Sequence, residues 1–455
     1  MVGRAVPVTC PPMHSDLRES IDQMQQWMRS ALEDLVRIPS VSAPGFDPGN
    51  VQASAEAAAA LLETSGVYGV RLLEIEGAHP AVYGELPGGA GAQTVLLYAH
   101  HDVQPPGPAD EWRSPPFEPV EREGRLHGRG SSDDKAGIVL HAAALRAHGA
   151  RPPVGVKLFF EGEEEIGSRH LGAFLDTYGP LLEADAIVVA DSANWKVGVP
   201  SFTTSLRGLV DCVVEVRVLR SAVHSGQFGG ALPDAITALA RVLATLHDER
   251  GRPAILGLRG YEGPALEYSE EDLRAQAEVL ESVELIGEGS LSSRLWTRPA
   301  ISVLAIDAPP VQEAINQLVP VARAKVSLRI APGDDPDQAM NALTDHLRRA
   351  APWGASVTIT PGARGRAFTL DTGGPAYDAF SKGFREAWGT EPVETGVGGS
   401  IPFVAAFSEA YPEASIVLNG VADPTSHAHG PNESVDLQEL FRGALAEAIA
   451  LRLLG

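Results

Sequence analysis

Thr94-Val95-Leu96-Leu97-Tyr98-Ala99-His100-His101-Asp102 is an apolar run that ends directly on two imidazoles and a carboxylate. A short, near-continuous apolar stretch suits a strand covered on both faces, as inside a parallel or mixed sheet. The surrounding pattern agrees. Strand-like runs come before it at Val70–Ile75 and Ala81–Leu86, and after it at Val154–Phe160 and Ala186–Ala190, with a helical pattern at Ala136–His148. This alternation predicts an α/β fold, a mixed sheet flanked by helices. Upstream, Ser15 is placed to cap a helix bearing Leu17, Ile21, Met24, Met28, Leu32, Leu35 and Val36 at helical spacing, ended by Pro39; Gln52–Thr64 reads as a second helix.

The rhythm changes near residue 203. Leu209–Val218 alternates apolar with charged residues, as a strand with one wet face does. A helix from Pro233 to Leu246, strands at Ala300–Ile306 and Ala324–Ile330, a helix at Pro336–Arg349 and a strand at Ser356–Thr360 complete a β-α-β-β-α-β order, that of a ferredoxin-like unit. An acidic, helical insertion is expected at Ser269–Val283. The larger domain resumes with a helix at Pro375–Trp388, a strand at Ser415–Leu418 and a helix at Asp436–Leu454. The expected division is a large domain made of 1–203 and 366–455, with a ferredoxin-like α+β domain, 204–365, inserted in it.

Bulk properties narrow the function. The length of 455 residues exceeds what one core usually supports. With 36 basic and 59 acidic residues the formal charge is -23, which argues against nucleic acid or an anionic membrane as partner. Cys10 and Cys212 are the only cysteines, so neither a disulfide framework nor a thiolate zinc site is available. No apolar signal segment or membrane-length run is present, and a cytoplasmic location is expected.

Five short segments concentrate His, Asp and Glu, four of them after predicted strands, where α/β sheets hold ligands. In the opening run, extended geometry puts His100 and Asp102 on one face and His101 on the other; a carboxylate beside an imidazole fixes its tautomer. Gly128-Arg129-Gly130-Ser131-Ser132-Asp133-Asp134-Lys135 leaves two carboxylates at a helix start, where helix capping or the bridging of two cations would each explain them. Glu161-Gly162-Glu163-Glu164-Glu165 crowds four like charges, which a nearby cation would relieve, though a solvated acidic loop is the plainer alternative. Asp191 ends the strand before it, and Ser426-His427-Ala428-His429-Gly430-Pro431-Asn432-Glu433 adds imidazoles from the far end of the chain. Jointly these are nitrogen and oxygen donors suited to paired Zn²⁺ or related divalent ions.

The strings AHHDVQP, GRGSSDDKAG, EGEEEIGS, ADSANW and HAHGPNE, in this order over nearly the whole chain, resemble the di-metal peptidase family of carnosinase, peptidase V, Cys-Gly dipeptidase, aminoacylase and succinyl-diaminopimelate desuccinylase. The form HDVQP…GRG..DDK is most similar to the carnosinase and Cys-Gly dipeptidase branch. The resemblance implies metal ligands at His100, Asp133, Glu165, Asp191 and His429, with Asp133 bridging, Asp102 orienting His100, and Glu164 as general base. His101 stands where the family usually has an apolar residue. The resemblance also implies that His224, in Val223-His224-Ser225-Gly226, stabilises the oxyanion, often in the partner subunit's site. It implies that Arg329 grips a terminal carboxylate and that Gly399 and Ser400 lie in a substrate-backbone loop. On this basis 1–203 and 366–455 form the catalytic domain and 204–365 a lid and dimerisation domain. The cofactor expected is two divalent ions per subunit, zinc first, with manganese or cobalt as alternatives. A homodimeric dipeptidase is expected, with an N-acyl-amino-acid amidase or carboxypeptidase as the rival substrate class and a non-catalytic metal-binding protein as the rival from outside enzymes.

Overall fold

A computed structural model describes residues 14–455 other than 265, 267 and 400, so Cys10 and Ser400 lie outside the described residues. The chain forms two compact units: one comprises Met1–Thr203, Asp371–Val393 and Ala406–Gly455, the other Thr204–Leu370 and Glu394–Ala405. The segment Glu394–Ala405, expected in the catalytic domain, groups instead with the second unit, and it carries Gly399 with it.

The first unit is built on a six-stranded sheet in the order Tyr68–Leu73, Ala81–Leu86, Gly155–Glu161, Thr94–His100, Ala186–Val189, Ser415–Leu418. The last four run parallel, while Ala81–Leu86 is antiparallel to both of its neighbours, so the sheet is mixed. The strand Thr94–His100 is central and almost wholly buried, which is why its sequence is apolar without alternation. Register pairs His100 with Glu161 and Tyr98 with Val189 on the two neighbouring strands. The strand ends bearing the candidate ligands therefore emerge side by side.

Helices Ser15–Val36, Lys135–Ala147, Pro375–Trp388 and Leu437–Leu454 contribute to one hydrophobic core with Leu97, Val156, Leu158 and Val188 of the sheet. A Leu→Ala change in such a core costs about 2–5 kcal/mol. Asp436 caps the last helix by accepting from Gln438 N at 2.8 Å and Glu439 N at 3.2 Å. That helix approaches Pro375–Trp388 so closely that a Cβ on Gly383 would lie 2.3 Å from the Ala446 oxygen, so glycine is required there. The first helix differs from expectation at its start. Ser15 is already helical, and the residue before it, His14, makes no side-chain cap.

The second unit has a four-stranded antiparallel sheet in the order Ala300–Asp307, Val321–Ile330, Gly208–Arg217, Ser356–Gly365. With Ala235–Ala244 and Pro336–Arg349 packed on one face, this is the ferredoxin-like arrangement. Cys212 is fully buried among valines, and burial pushes its thiol up to about 11, so it behaves as a small hydrophobe. The helical insertion is shorter than expected. Ser269 caps a helix only over Glu270–Gln276, and Glu278 then turns to φ 48°. Glu270, Glu271 and Asp272 suit the positive N-terminal end of a helix, whereas Glu278, Glu281 and Glu284 would sit against a negative C-terminal end.

Among the described residues no helix is long and apolar enough to cross a membrane.

Candidate metal centre

In the first unit the expected ligands converge at the carboxyl ends of the parallel strands. His100 is the last residue of the central strand and fully buried. Its Nδ1 lies 3.1 Å from the Asp102 carbonyl oxygen and 3.4 Å from Asp102 Oδ1, and its Nε2 lies 3.0 Å from Asp133 Oδ1 and 3.9 Å from Asp191 Oδ1. The other oxygen of Asp133, Oδ2, is 3.0 Å from His429 Nε2, which is also 3.2 Å from Glu165 Oε2. One carboxylate thus divides its two oxygens between two imidazoles. Donor atoms of His100, Asp133 and Glu165, and of His100, Glu164 and Asp191, each fall within 4.8 Å of one another. The imidazole of His429 is 58% exposed, so the cluster opens to solvent on that side.

His101 points elsewhere. Its Nε2 is 2.9 Å from the Pro80 carbonyl, and burial pushes its pKa down to about 4, as a neutral core histidine requires. Helix capping does not account for the Asp133-Asp134 pair either: the helix begins at Lys135, and Asp134 makes no side-chain cap. Asp134 instead accepts from the His100 backbone N–H at 3.2 Å. Of the crowded glutamates, Glu161 accepts from Tyr98 Oη at 2.8 Å, and Glu163 takes the His79 N–H together with the backbone and ring nitrogens of His170. Glu164 and Glu165 remain for the centre.

Two buried carboxylates, Glu433 and Asp102, hold the scaffold. Glu433 is fully buried and receives Arg129 Nη1 at 2.7 Å, the backbone N–H groups of Gly130, Ser132 and Asp133, and the Ser132 hydroxyl. It ties the loop carrying Asp133 to the loop carrying His429. Asp102 accepts the Ser42 hydroxyl at 2.7 Å and the backbone N–H groups of Glu164 and Glu165 at 3.2 and 3.1 Å. It therefore orients His100 and both glutamates at once.

Electrostatics follow from packing acids together. Burial resists a charged His100, yet its bonds to Asp102 and Asp133 and the charge of Asp191 prevail and hold its pKa well above the usual value. Hydrogen bonds to Asp133 and Glu165 raise His429 to about 10. Burial would raise Asp133 too, but its two imidazole partners hold it below the ordinary carboxylate range. Asp191 is pushed up to about 7 by burial, against the pull of His100 and with repulsion from Asp133 and Glu165. Burial and the charge of Asp191 push Glu164 well above its ordinary value. A buried group of carboxylates that the two imidazoles cannot fully neutralise takes up protons or divalent cations. The donor set of imidazole and carboxylate, without thiolate, fits zinc, manganese or cobalt.

The second unit holds the remaining expected residues. His224 Nδ1 accepts from Gly226 N–H at 3.1 Å, so the neutral ring carries its proton on Nε2. Arg329 is half-buried, which lowers its pKa, and among the described residues no carboxylate pairs with it. A side chain at Gly399 would meet nothing closer than Val397 Cγ1 at 3.8 Å, so packing does not demand glycine there. Arg207, passed over in the sequence, is a buried guanidinium donating to the carbonyls of Gly398, Arg294 and Arg298. Burial and the charge of Arg329 lower it to about 10. An arginine after a strand carries no local signal for such a role. Gln104 was likewise unassigned, although a polar residue between Val103 and Pro105, directly after Asp102, is visible in the sequence.

Residues 96–452 match the profile of peptidase family M20/M25/M40. A cysteinylglycine-S-conjugate dipeptidase from Corynebacterium striatum is 38% identical over 366 residues, covering 78% of this chain and 80% of that protein. A Cys-Gly metallodipeptidase from Saccharomyces cerevisiae is 25% identical over 469 residues, 95% of this chain and 96% of that protein. The fold is shared with the solved structure of the di-peptidase Dug1p from Saccharomyces cerevisiae, at TM-score 0.80 and 24% identity over 97% of this chain and 98% of that one.

Proposed function

This chain belongs to peptidase family M20/M25/M40, and from that premise we propose that it is a dipeptidase hydrolysing the amide bond with the help of two divalent ions. The observation that carries the proposal is the division of Asp133, with Oδ1 at 3.0 Å from His100 and Oδ2 at 3.0 Å from His429. On this reading His100 and Asp191 would hold one ion, Glu165 and His429 the other, and Asp133 would serve both. Two divalent ions bound there would lower the pKa of a water toward about 7 and polarise the scissile carbonyl. Zinc is the ion we assign.

Glu164 is the proton carrier. Among the described residues no hydrogen bond is made to its carboxylate, whereas Glu165 beside it is anchored. Glu164 takes the proton from the attacking water as the carbon–oxygen bond forms, then delivers it to the amine nitrogen as the carbon–nitrogen bond breaks. Its raised proton affinity suits both steps. His224 offers its Nε2–H to the oxyanion, and Arg329, with no carboxylate partner among the described residues, takes the substrate's terminal carboxylate. Gly399 and Ser400 are assigned to the substrate backbone. We infer a cytoplasmic homodimer in which His224 of one copy serves the other. Mixing inactive His224→Ala and Glu164→Ala proteins should restore activity, and no rescue would refute that sharing.

The test of the reaction is a substrate panel on zinc-, manganese- and cobalt-loaded protein. Cys-Gly and other dipeptides should be cleaved, chelation should abolish cleavage, and added metal should restore it. Cleavage of N-acyl-amino acids alone, or cleavage that survives chelation, would overturn the assignment.

A further inference from the structure

Glu164 and Glu165 are chemically identical neighbours, and their backbones are treated alike: each N–H donates to one oxygen of Asp102. What separates them is Gln104. Its backbone N–H donates to Glu165 Oε1 at 3.2 Å, and its side-chain Nε2 donates both to Glu165 Oε2 at 2.8 Å and to the Glu165 carbonyl oxygen at 3.1 Å. One amide nitrogen therefore spans the two ends of a single glutamate, its carboxylate and its main-chain oxygen. This fixes the side-chain torsions between them. The same Oε2 faces His429 Nε2 at 3.2 Å. Among the described residues nothing comparable holds the carboxylate of Glu164.

We propose that Gln104 is a positioning residue that holds Glu165 ready to bind an ion and so leaves proton transfer to Glu164; this deepens the reading above and rests on it. A free glutamate gives up rotamer freedom when it takes a ligand, while one already held gives up little. The job needs a side chain with two N–H donors on one atom, which glutamine has and glutamate or methionine lacks. Because Gln104 hydrogen-bonds to Glu165 and, among the described residues, to none of His100, Asp133 or Asp191, its effect falls on one ion alone. Partners of this kind are worth about 10–100-fold in metal affinity.

The experiment is a zinc titration of the full chain by competition with a chromophoric chelator, wild type against Gln104→Met, which keeps the length and loses the donors. Wild type should bind two ions. The variant should bind one with unchanged affinity and the other about 10–100-fold more weakly, with the thermal midpoint of the metal-free protein unaltered. Gln104→Asn, too short to span Glu165, should behave the same and serves if the methionine variant folds poorly. In a Glu165→Gln background the Gln104→Met change should add no further loss, since the pair acts as one unit. Two unchanged affinities, two affinities lowered together, or a full additional loss in the Glu165→Gln background would each overturn the inference while leaving the di-metal reading standing. Failure of the wild type to bind two ions would remove both.

Discussion

The two units handle charge in opposite ways. On the open face of the second unit's sheet, acids and bases alternate across the strands. Glu215 receives Arg323 at 2.7 Å and Arg217 at 3.3 Å, Asp307 lies 3.7 Å from Arg323, and Lys325 reaches Asp211 at 3.4 Å. That face is complete as it stands. At the strand ends of the first unit, Asp102, Asp133, Asp134, Glu164, Glu165 and Asp191 gather around two imidazoles, and among the described residues none has an arginine or lysine as partner. Nearby, Glu433 pairs with Arg129 instead, shapes the backbone and stays out of the cluster. Paired surface charge contributes little to stability and asks for nothing more, whereas buried acids left unpaired imply a cation supplied from outside.

The contrast can be pressed at several points. Glu164→Gln should keep both ions and lower kcat about 10²–10⁴-fold; kcat with metal content determined on the same sample decides it, and retained turnover would mean that the free acid is not the base. Glu433→Ala leaves Arg129 buried without its partner and should destabilise the protein by about 3–5 kcal/mol in urea unfolding. A loss below ~1 kcal/mol would place Glu433 with the weak surface pairs. Arg323→Ala on the second unit's ladder should cost only about 0.2–1 kcal/mol and leave kcat unchanged. Its small contribution has a definite pH sign. The hydrogen bond from Arg323 lowers the folded pKa of Glu215, so the stabilisation is present above the unfolded value and is lost as pH falls through the folded one. Stability measured from pH 7 downward should therefore show a smaller acid loss in the variant. A larger acid loss would contradict the pairing.

Much of this was legible in the sequence. Apolar runs that stop on His100, Glu161 and Asp191 announce strands with candidate ligands at or just beyond their ends, because an interior strand of a mixed sheet must be apolar and its exit is where a crevice opens. The inserted unit was visible from the β-α-β-β-α-β order, although Glu394–Ala405 joins it from a distant part of the chain with no local mark. Separation along the chain hid other features. The hydrogen bonds of Glu433 to Arg129, Gly130, Ser132 and Asp133 span 300 or more residues, and nothing near either end announces them. Gln104 and Glu165 are 61 residues apart, so only the fold reveals that one glutamate of an adjacent pair is anchored while the other, among the described residues, is not. Strand alternation put His100 with Asp102 on one face and His101 on the other, and the family resemblance chose His100 between them; in the structure one ring faces the acids and the other faces Pro80.

If Asp133 joins two ion sites, its loss must show in the stoichiometry of metal binding. Wild-type protein, stripped and titrated with zinc, should take up two ions per chain. Asp133→Ala should take up fewer than two and lose hydrolysis of Cys-Gly, while its fold, read by circular dichroism, stays intact. Two ions bound at wild-type affinity by Asp133→Ala would contradict the account, as would a single ion in the wild type.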